Sequence, residues 1–469
     1  MVEDKNSITE IFKHAVKNHK ENKLEVAQNL YNQVLKINPN HSSSHNNLGV
    51  LFKSSDDIQK AKEFFKKAID IDPKYLDAHN NLGNIFVDLK EYQKALDCFK
   101  KAIEINPNYV DAYNNIGITY KILKEYSKAI NFFEKVIEIN PNYIDAYNNL
   151  GKMYFTIGKF HKAINSYEKI IKINPDYADA FYNLGLIYYE LLDNQKAKAS
   201  YERAIKINPN FINAYWNLHS LTSDIDEALS VLKKIYTVDK KFIKTKIMIG
   251  CLEYYKGNLN LFKDILTSSD SGHPHTRSIK WILSLPTLPK IFFNRCDFFD
   301  NAISLADNSR PFYEFGVWRG ISFKYLIDTF KNGFGFDTFT GLPEAWYSEP
   351  IGTYSASGIV PKINGGEFIV GKFEDTLPEF FSKEKPLASL INFDADLYSS
   401  TLCALNYSNK VIDEQTILIF DEFLMNNKWE EDEFKALNEF CDNLGFSYEV
   451  IAISLYTKQV AVKLKKISE

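Results

Sequence analysis

The chain has little that would hold it together covalently. Five cysteines in 469 residues (Cys98, Cys251, Cys296, Cys403 and Cys441) lie far apart with no CxxC pair, which excludes a disulfide framework and a thiolate metal site. No stretch comes near the roughly 18 consecutive apolar residues of a membrane span, so no membrane partner is expected. Neither sign of charge dominates: 56 Lys and Arg stand against 60 Asp and Glu, a net charge of −4. That balance is too even to suggest a nucleic-acid partner. The opening string MVEDKNSITE lacks the basic start and apolar run of a secretory signal, so the cytoplasm is the expected compartment. All nine histidines lie at or before His275, leaving everything beyond it without an imidazole for proton transfer. At roughly 100 to 200 residues per domain, the length predicts two or three domains.

What is present is periodic. Pro39, Pro73, Pro107, Pro141, Pro175 and Pro209 follow one another at intervals of 34 residues, mostly inside an I-[ND]-P string. Within the unit 110–143, Tyr113, Ile116, Gly117 and Tyr120 form one helical stripe and Ala129, Phe133 and Val136 a second. Gly117 and Ala129 are small where two antiparallel helices approach, and Pro141 ends the second helix because its ring cannot continue one. This frame resembles the tetratricopeptide repeat. It implies an all-α solenoid over residues 8–266, with six full units at 8–211 and degenerate units to about 266. The seventh unit, from Ile212, has lost three turn residues and carries Lys240 in place of proline; a last pair around Gly250 reads as a cap. Asn47, Asn81, Asn115, Asn149, Asn183 and Asn217 recur at one position of the first helix, which lines the concave face in this family. A row of primary amides can bind an extended peptide backbone, and the row resembles the asparagine ladder of the O-GlcNAc transferase superhelix. The alternative is that the ladder is consensus and the repeats serve as a scaffold or in oligomerisation.

The polar string TSSDSGHPH (267–275) predicts a boundary, with a linker and helical connection over 267–310. His273 and His275 read there as solvated. From Pro311 the runs PFYEFG, GFGFD, EFIVG, ASLINFD, TILIFD, YEVIAIS and QVAVKL alternate with amphipathic stretches. They predict an α/β domain at 311–466 with a seven-stranded sheet whose last strand enters antiparallel. This pattern resembles the Rossmann-like class I S-adenosylmethionine-dependent methyltransferases. In such a sheet, ligands bind beyond the carboxyl ends of the strands. Glu314, Gly316 and Gly320 then match the glycine-rich turn, Trp318 replacing its middle glycine; Asp337 suits two ribose hydroxyls, and Phe373 and Glu374 would flank the adenine. Every such contact lies after Pro311, so a fragment from about Ser278 is expected to bind S-adenosylmethionine without the repeats.

Asp394 and Asp396 are two apart and, on an extended strand, share one side. Asp421 and Glu422 end the next run. Converging carboxylates raise one another's pKa unless a cation joins them, and oxygen ligands suit a hard ion such as Mg²⁺. The alternative is that these acids cap helices or pair with Lys428 or Arg319. Taken in order, EFGVWRG, GFDTFTGLPE, GKFEDTLP, DADLYSST and FDEF closely resemble the macrocin and mycinamicin O-methyltransferases, over residues 311–464. Those enzymes methylate sugar hydroxyls with magnesium. The resemblance implies S-adenosyl-L-methionine and Mg²⁺ as cofactors, Asp394, Asp421 and Glu422 as metal ligands with Asp394 also beside the cofactor, and a sugar or glycan acceptor. With no imidazole available, Asp396 is the expected general base. Three readings result: an O-methyltransferase whose repeats recruit a protein or position the acceptor, a protein or glycoprotein methyltransferase using the repeats as a clamp, and a non-catalytic adaptor.

Overall fold

The structure, a computed structural model, describes residues 2–356 and 358–467. It divides into two compact units, Met1–Pro175 and Asp176–Glu469. In the first, antiparallel helix pairs such as Val110–Ile122 and Tyr126–Ile139 repeat. Ala129, Phe133 and Val136 are fully buried between them. Gly117 is small because a Cβ there would lie 2.7 Å from the Phe133 ring; Gly49 against Phe65 (2.6 Å), Gly83 against Phe99 (2.4 Å) and Gly151 against Tyr167 (2.6 Å) repeat the arrangement. The I-[ND]-P string also has a local cause. The Asn140 side chain accepts the Asn142 N–H at 3.1 Å, turning the chain over Pro141.

The second unit begins with helices of the same kind, Ala178–Glu190 and Asn194–Ile207. The residues lost from the seventh repeat shorten its first helix, Ile212–His219, to 8 residues where Val110–Ile122 has 13. Helices Ile225–Val238, Ile243–Tyr255 and Asn260–Thr267 follow. The rest is a mixed sheet of β1 (Lys290–Phe292), β2 (Phe312–Phe315), β3 (Gly333–Asp337), β4 (Gly366–Val370), β5 (Leu390–Phe393), β6 (Ile417–Phe420), β7 (Phe446–Ser454) and β8 (Val460–Lys466). Its order is β1-β7-β8-β6-β5-β2-β3-β4. Every residue of β2, β5 and β6 is buried, as expected of central parallel strands covered on both faces. β8 runs antiparallel to both its neighbours.

Two expectations change here. The sheet has eight strands, not seven, because β1 pairs parallel with β7, Lys290 opposite Ala452. Three residues beside prolines give too short an apolar run to read as a strand. The segment 267–310 is also packed structure: Ile279, Ile282, Phe298 and Phe299 within it are fully buried and His275 is 8% exposed, so neither it nor its histidine is a solvated linker. The boundary between compact units falls inside the repeats, since Tyr456 donates to Asn217 Oδ1 at 2.7 Å and Asn194 to Asn294 Oδ1 at 3.2 Å. Among the described residues, no helix is long and apolar enough to cross a membrane.

Candidate active site

Beyond the carboxyl ends of β2, β3, β5 and β6 lies a cavity of about 340 Å³. It brings together Gly316, Asp337, Phe373, Glu374, Asp394, Asp396, Asp421 and Glu422. Glu314 and Gly320, expected beside the cofactor, do not line it. Glu314 is fully buried within β2, where its Oε1 accepts from Asn392 Nδ2 at 2.8 Å. Burial pushes its carboxyl up to about 8, against hydrogen bonds from Ser322 and Asn392. Gly320 opens helix Ile321–Phe330 at φ 73°, and a Cβ there would meet Pro361 and Ile363 at 3.1 Å. Gly316 lines the cavity, but the neighbouring backbone is what forbids a side chain. At φ 92°, a Cβ would come within 1.8 Å of the Asp394 carbonyl oxygen.

Asp337 ends β3 and ties the turn after β2 to its own. One carboxylate oxygen accepts the Trp318 N–H at 2.6 Å and the other the Phe339 N–H at 2.5 Å. Burial raises the Asp337 carboxyl, against backbone N–H groups of Trp318, Phe339, Val317 and Thr338 that favour the ionised form. Trp318, in the place of the middle glycine, takes the left-handed φ of 49° and stacks beneath Arg319, whose guanidinium lies 4.2 Å from its ring. Phe373 begins helix Phe373–Phe380 with its ring edge-on to Phe315, and Glu374 follows in the first turn.

The acids converge by a different route from the one expected. β5 ends at Phe393, so Asp394 and Asp396 are not alternate positions of an extended strand. Asp396 sits at φ 59° in a tight turn closed by the Leu397 N–H donating to the Ala395 carbonyl at 2.6 Å. Such conformations cost about 1–3 kcal/mol and recur at functional sites. Burial raises the carboxyls of both aspartates well above their ordinary range; Asp421 and Asp396 push Asp394 further, and Glu422 and Asp421 push Asp396.

Lys428 is not among the cluster's cations, since it pairs with Glu431 at 3.4 Å. Arg295 Nη2 lies 3.5 Å from Asp421 Oδ1, which also accepts from Gln459 Nε2 at 2.5 Å. Lys458 Nζ lies 2.7 Å from Glu422 Oε2, which accepts from Asn426 Nδ2 at 2.8 Å. Burial opposes the Arg295 charge, but Asp421 and Asp394 hold it firmly ionised. Sequence reasoning missed both cations, and also Glu190, which reaches the cavity from the end of helix Ala178–Glu190. The signal available was an arginine inside the aromatic run KIFFNRCDFF. Among the described residues, no group of three or more His, Cys, Asp or Glu is placed to hold a metal ion. Asp421 Oδ1 and Glu422 Oε2 are taken by Arg295, Gln459, Lys458 and Asn426, and the expected Mg²⁺ set of Asp394, Asp421 and Glu422 is not grouped as a metal site among the described residues.

The asparagine ladder is partly structural. In the first unit, Asn47 donates to Tyr31 (3.2 Å), Asn81 to Asn46 Oδ1 and Asn115 to Asn80 Oδ1 (both 2.9 Å), each bond joining successive repeats; Asn149 accepts from Lys121 at 3.0 Å. These four, and Asn183 in the second unit, are half-buried. Asn217 does not fit the ladder. It is buried, its Oδ1 taken by Tyr456 and its amide 3.4 Å from the Tyr182 hydroxyl.

Residues 42–75, 76–109, 110–143 and 178–211 match the tetratricopeptide repeat, and 132–165 and 151–191 match further repeat families of that type. Similar solved structures include YrrB, described as a TPR protein with an unusual peptide-binding site: 25% identity, 39% of this chain and 95% of that one, TM-score 0.34. Others are pilF of Pseudomonas aeruginosa (17% identity, 45% and 96% covered, TM-score 0.41) and a tetratricopeptide repeat protein of Parabacteroides merdae (18%, 53% and 99%, TM-score 0.39). No curated protein matches the chain. The 34-residue units are tetratricopeptide repeats, and the N-terminal part of this chain is an all-α solenoid built from them.

Proposed function

We propose that the chain joins a protein-binding repeat array to an S-adenosylmethionine-dependent methyl-transfer centre acting on a hydroxyl of a sugar or glycan. The family matches bear on the repeats and support a protein-binding role, with or without catalysis. The observation that carries the catalytic part is the sheet. Apart from β1, its order is β4-β3-β2-β5-β6-β8-β7 with β8 alone antiparallel to its neighbours, as in the methyltransferase fold that the motifs resemble. The cavity opens at the strand ends where that fold takes its cofactor.

The residues fit such a cofactor. Asp337 lines the cavity at the end of β3, where ribose hydroxyls would lie, and Phe373 and Glu374 line it alongside. When bound, S-adenosylmethionine supplies an electrophilic methyl group. Arg295 and Lys458 balance Asp421 and Glu422, whereas Asp396 makes no ion pair among the described residues. Burial, Glu422 and Asp421 raise the proton affinity of Asp396, the direction a general base requires. It accepts the acceptor hydroxyl's proton as the oxygen attacks. No step is assigned to Mg²⁺.

Incubating the full chain with methyl-labelled S-adenosylmethionine and cell extract tests this reading. Label in sugars, glycans or glycoprotein glycans supports it. Label on protein side chains favours the clamp reading, and no label leaves the adaptor.

A further inference from the structure

A second cavity, of about 490 Å³, lies beside the first in the same compact unit. Trp216 and Tyr456 form one wall, their ring centroids 6.4 Å apart, and Tyr347 faces in from the loop after β3. The polar lining is unlike that of the acid cluster: Lys244, Lys458, His275, Asn426 and Asn427, with no carboxylate. His275 is 8% exposed, and its Nδ1 has no hydrogen-bond partner. That nitrogen is closed off from solvent, so it is the rest of the imidazole that lines the cavity. Lys458 is engaged by Glu422 and Asn426, whereas Lys244 makes no ion pair among the described residues and stands close enough to Lys458 for their charges to repel. The same repulsion, with burial foremost, pushes the His275 imidazole down to about 3 and keeps it neutral. The cavity therefore holds a surplus of positive charge, a neutral imidazole and aromatic faces. Glu422, in the lining of the acid-lined cavity, bonds to Asn426 and Lys458, in the lining of this one.

We propose that this second cavity binds the acidic group of an anionic sugar, with Lys244 and His275 on the anion and Trp216 and Tyr456 against the ring. It deepens the function proposed above and rests on it in one respect, that the sugar bound here is the methyl acceptor. Aromatic faces match the apolar face of a pyranose, and an unpaired ammonium selects a carboxylate or phosphate over a neutral substituent.

The test is calorimetry on the full chain with glucuronate, UDP-glucose, the neutral methyl glucoside and inorganic phosphate. Glucuronate and UDP-glucose separate a carboxylate from a phosphate source. At least one should bind, methyl glucoside and phosphate alone should bind about tenfold more weakly or worse, and Lys244→Glu should weaken the anionic sugar by about tenfold or more, the scale of a hydrogen bond to a charged group. Trp216→Leu should weaken it too, and S-adenosylmethionine affinity should be unchanged in Lys244→Glu, which controls for folding. The proposal is overturned if methyl glucoside binds as well as the anionic sugars, if Lys244→Glu has no effect, or if neither anion binds in the millimolar range. Sugar binding that depends on Lys244 in a chain that fails to bind S-adenosylmethionine would remove the methyl-transfer reading and leave this site standing.

Discussion

Replacing Glu314 with glutamine should stabilise the second unit, and by an amount the structure allows one to work out. Its carboxyl is fully buried in β2, and burial raises it from 4.5 to about 8. A carboxyl raised on folding contributes stability that is fully present below its unfolded pKa and lost as pH rises through its folded one. At neutral pH Glu314 is protonated in the fold and would be ionised in the unfolded chain. The gap between 4.5 and pH 7, at about 1.4 kcal/mol per unit, costs about 3 kcal/mol. Glutamine has the same shape and an oxygen to accept from Asn392, without that cost. All five tryptophans (Trp216, Trp281, Trp318, Trp346 and Trp429) lie beyond residue 176, so their fluorescence in a urea titration reports the second unit alone. Glu314→Gln should gain about 3 kcal/mol at pH 7 and under about 1 kcal/mol at pH 5, with S-adenosylmethionine affinity unchanged. Equal stability at both pH values, or loss of cofactor binding, would refute the reasoning and return Glu314 to the ligand contact that the resemblance implies.

Two further outcomes follow from the packing. A fragment starting at residue 278 should fail to bind S-adenosylmethionine by calorimetry while 176–469 binds it, because Glu190 lines the cavity and Asn217 and Asn194 bond to Tyr456 and Asn294; equal binding by both would show those helices to be dispensable. Replacing Asn115 and Asn149 together with alanine should leave helicity unchanged by circular dichroism, cost about 1–2 kcal/mol through the lost bond to Asn80, and abolish capture of an extended polypeptide; capture by the folded variant would place that interaction elsewhere.

The repeats were readable because proline, glycine and one aromatic recur in register. Gly117 and Phe133, sixteen residues apart, meet in the structure as the period implies. β2 to β8 were readable as apolar runs, and the acids at their ends as a cluster. What was hidden is whatever depends on residues remote in the chain. Arg295 reaches Asp421 from 126 positions away and Lys458 reaches Glu422 from 36, and neither lies in a motif that holds the acids. Gly316 was legible as necessary but not for the right reason, since its neighbour is the Asp394 carbonyl on another strand end. Asp396 does line one cavity with Asp394, Asp421 and Glu422, but not for the reason given by the sequence. Alternation along a strand implied what a strained turn achieves.

The account rests most directly on the first cavity taking S-adenosylmethionine, and calorimetric titration of that molecule into the full chain measures it. Binding is predicted for the wild type, weakened in Asp337→Ala by about 1.5–3 kcal/mol, the scale of hydrogen bonds to a charged group. No binding by the wild type, or the same affinity in a folded Asp337→Ala variant, would contradict it.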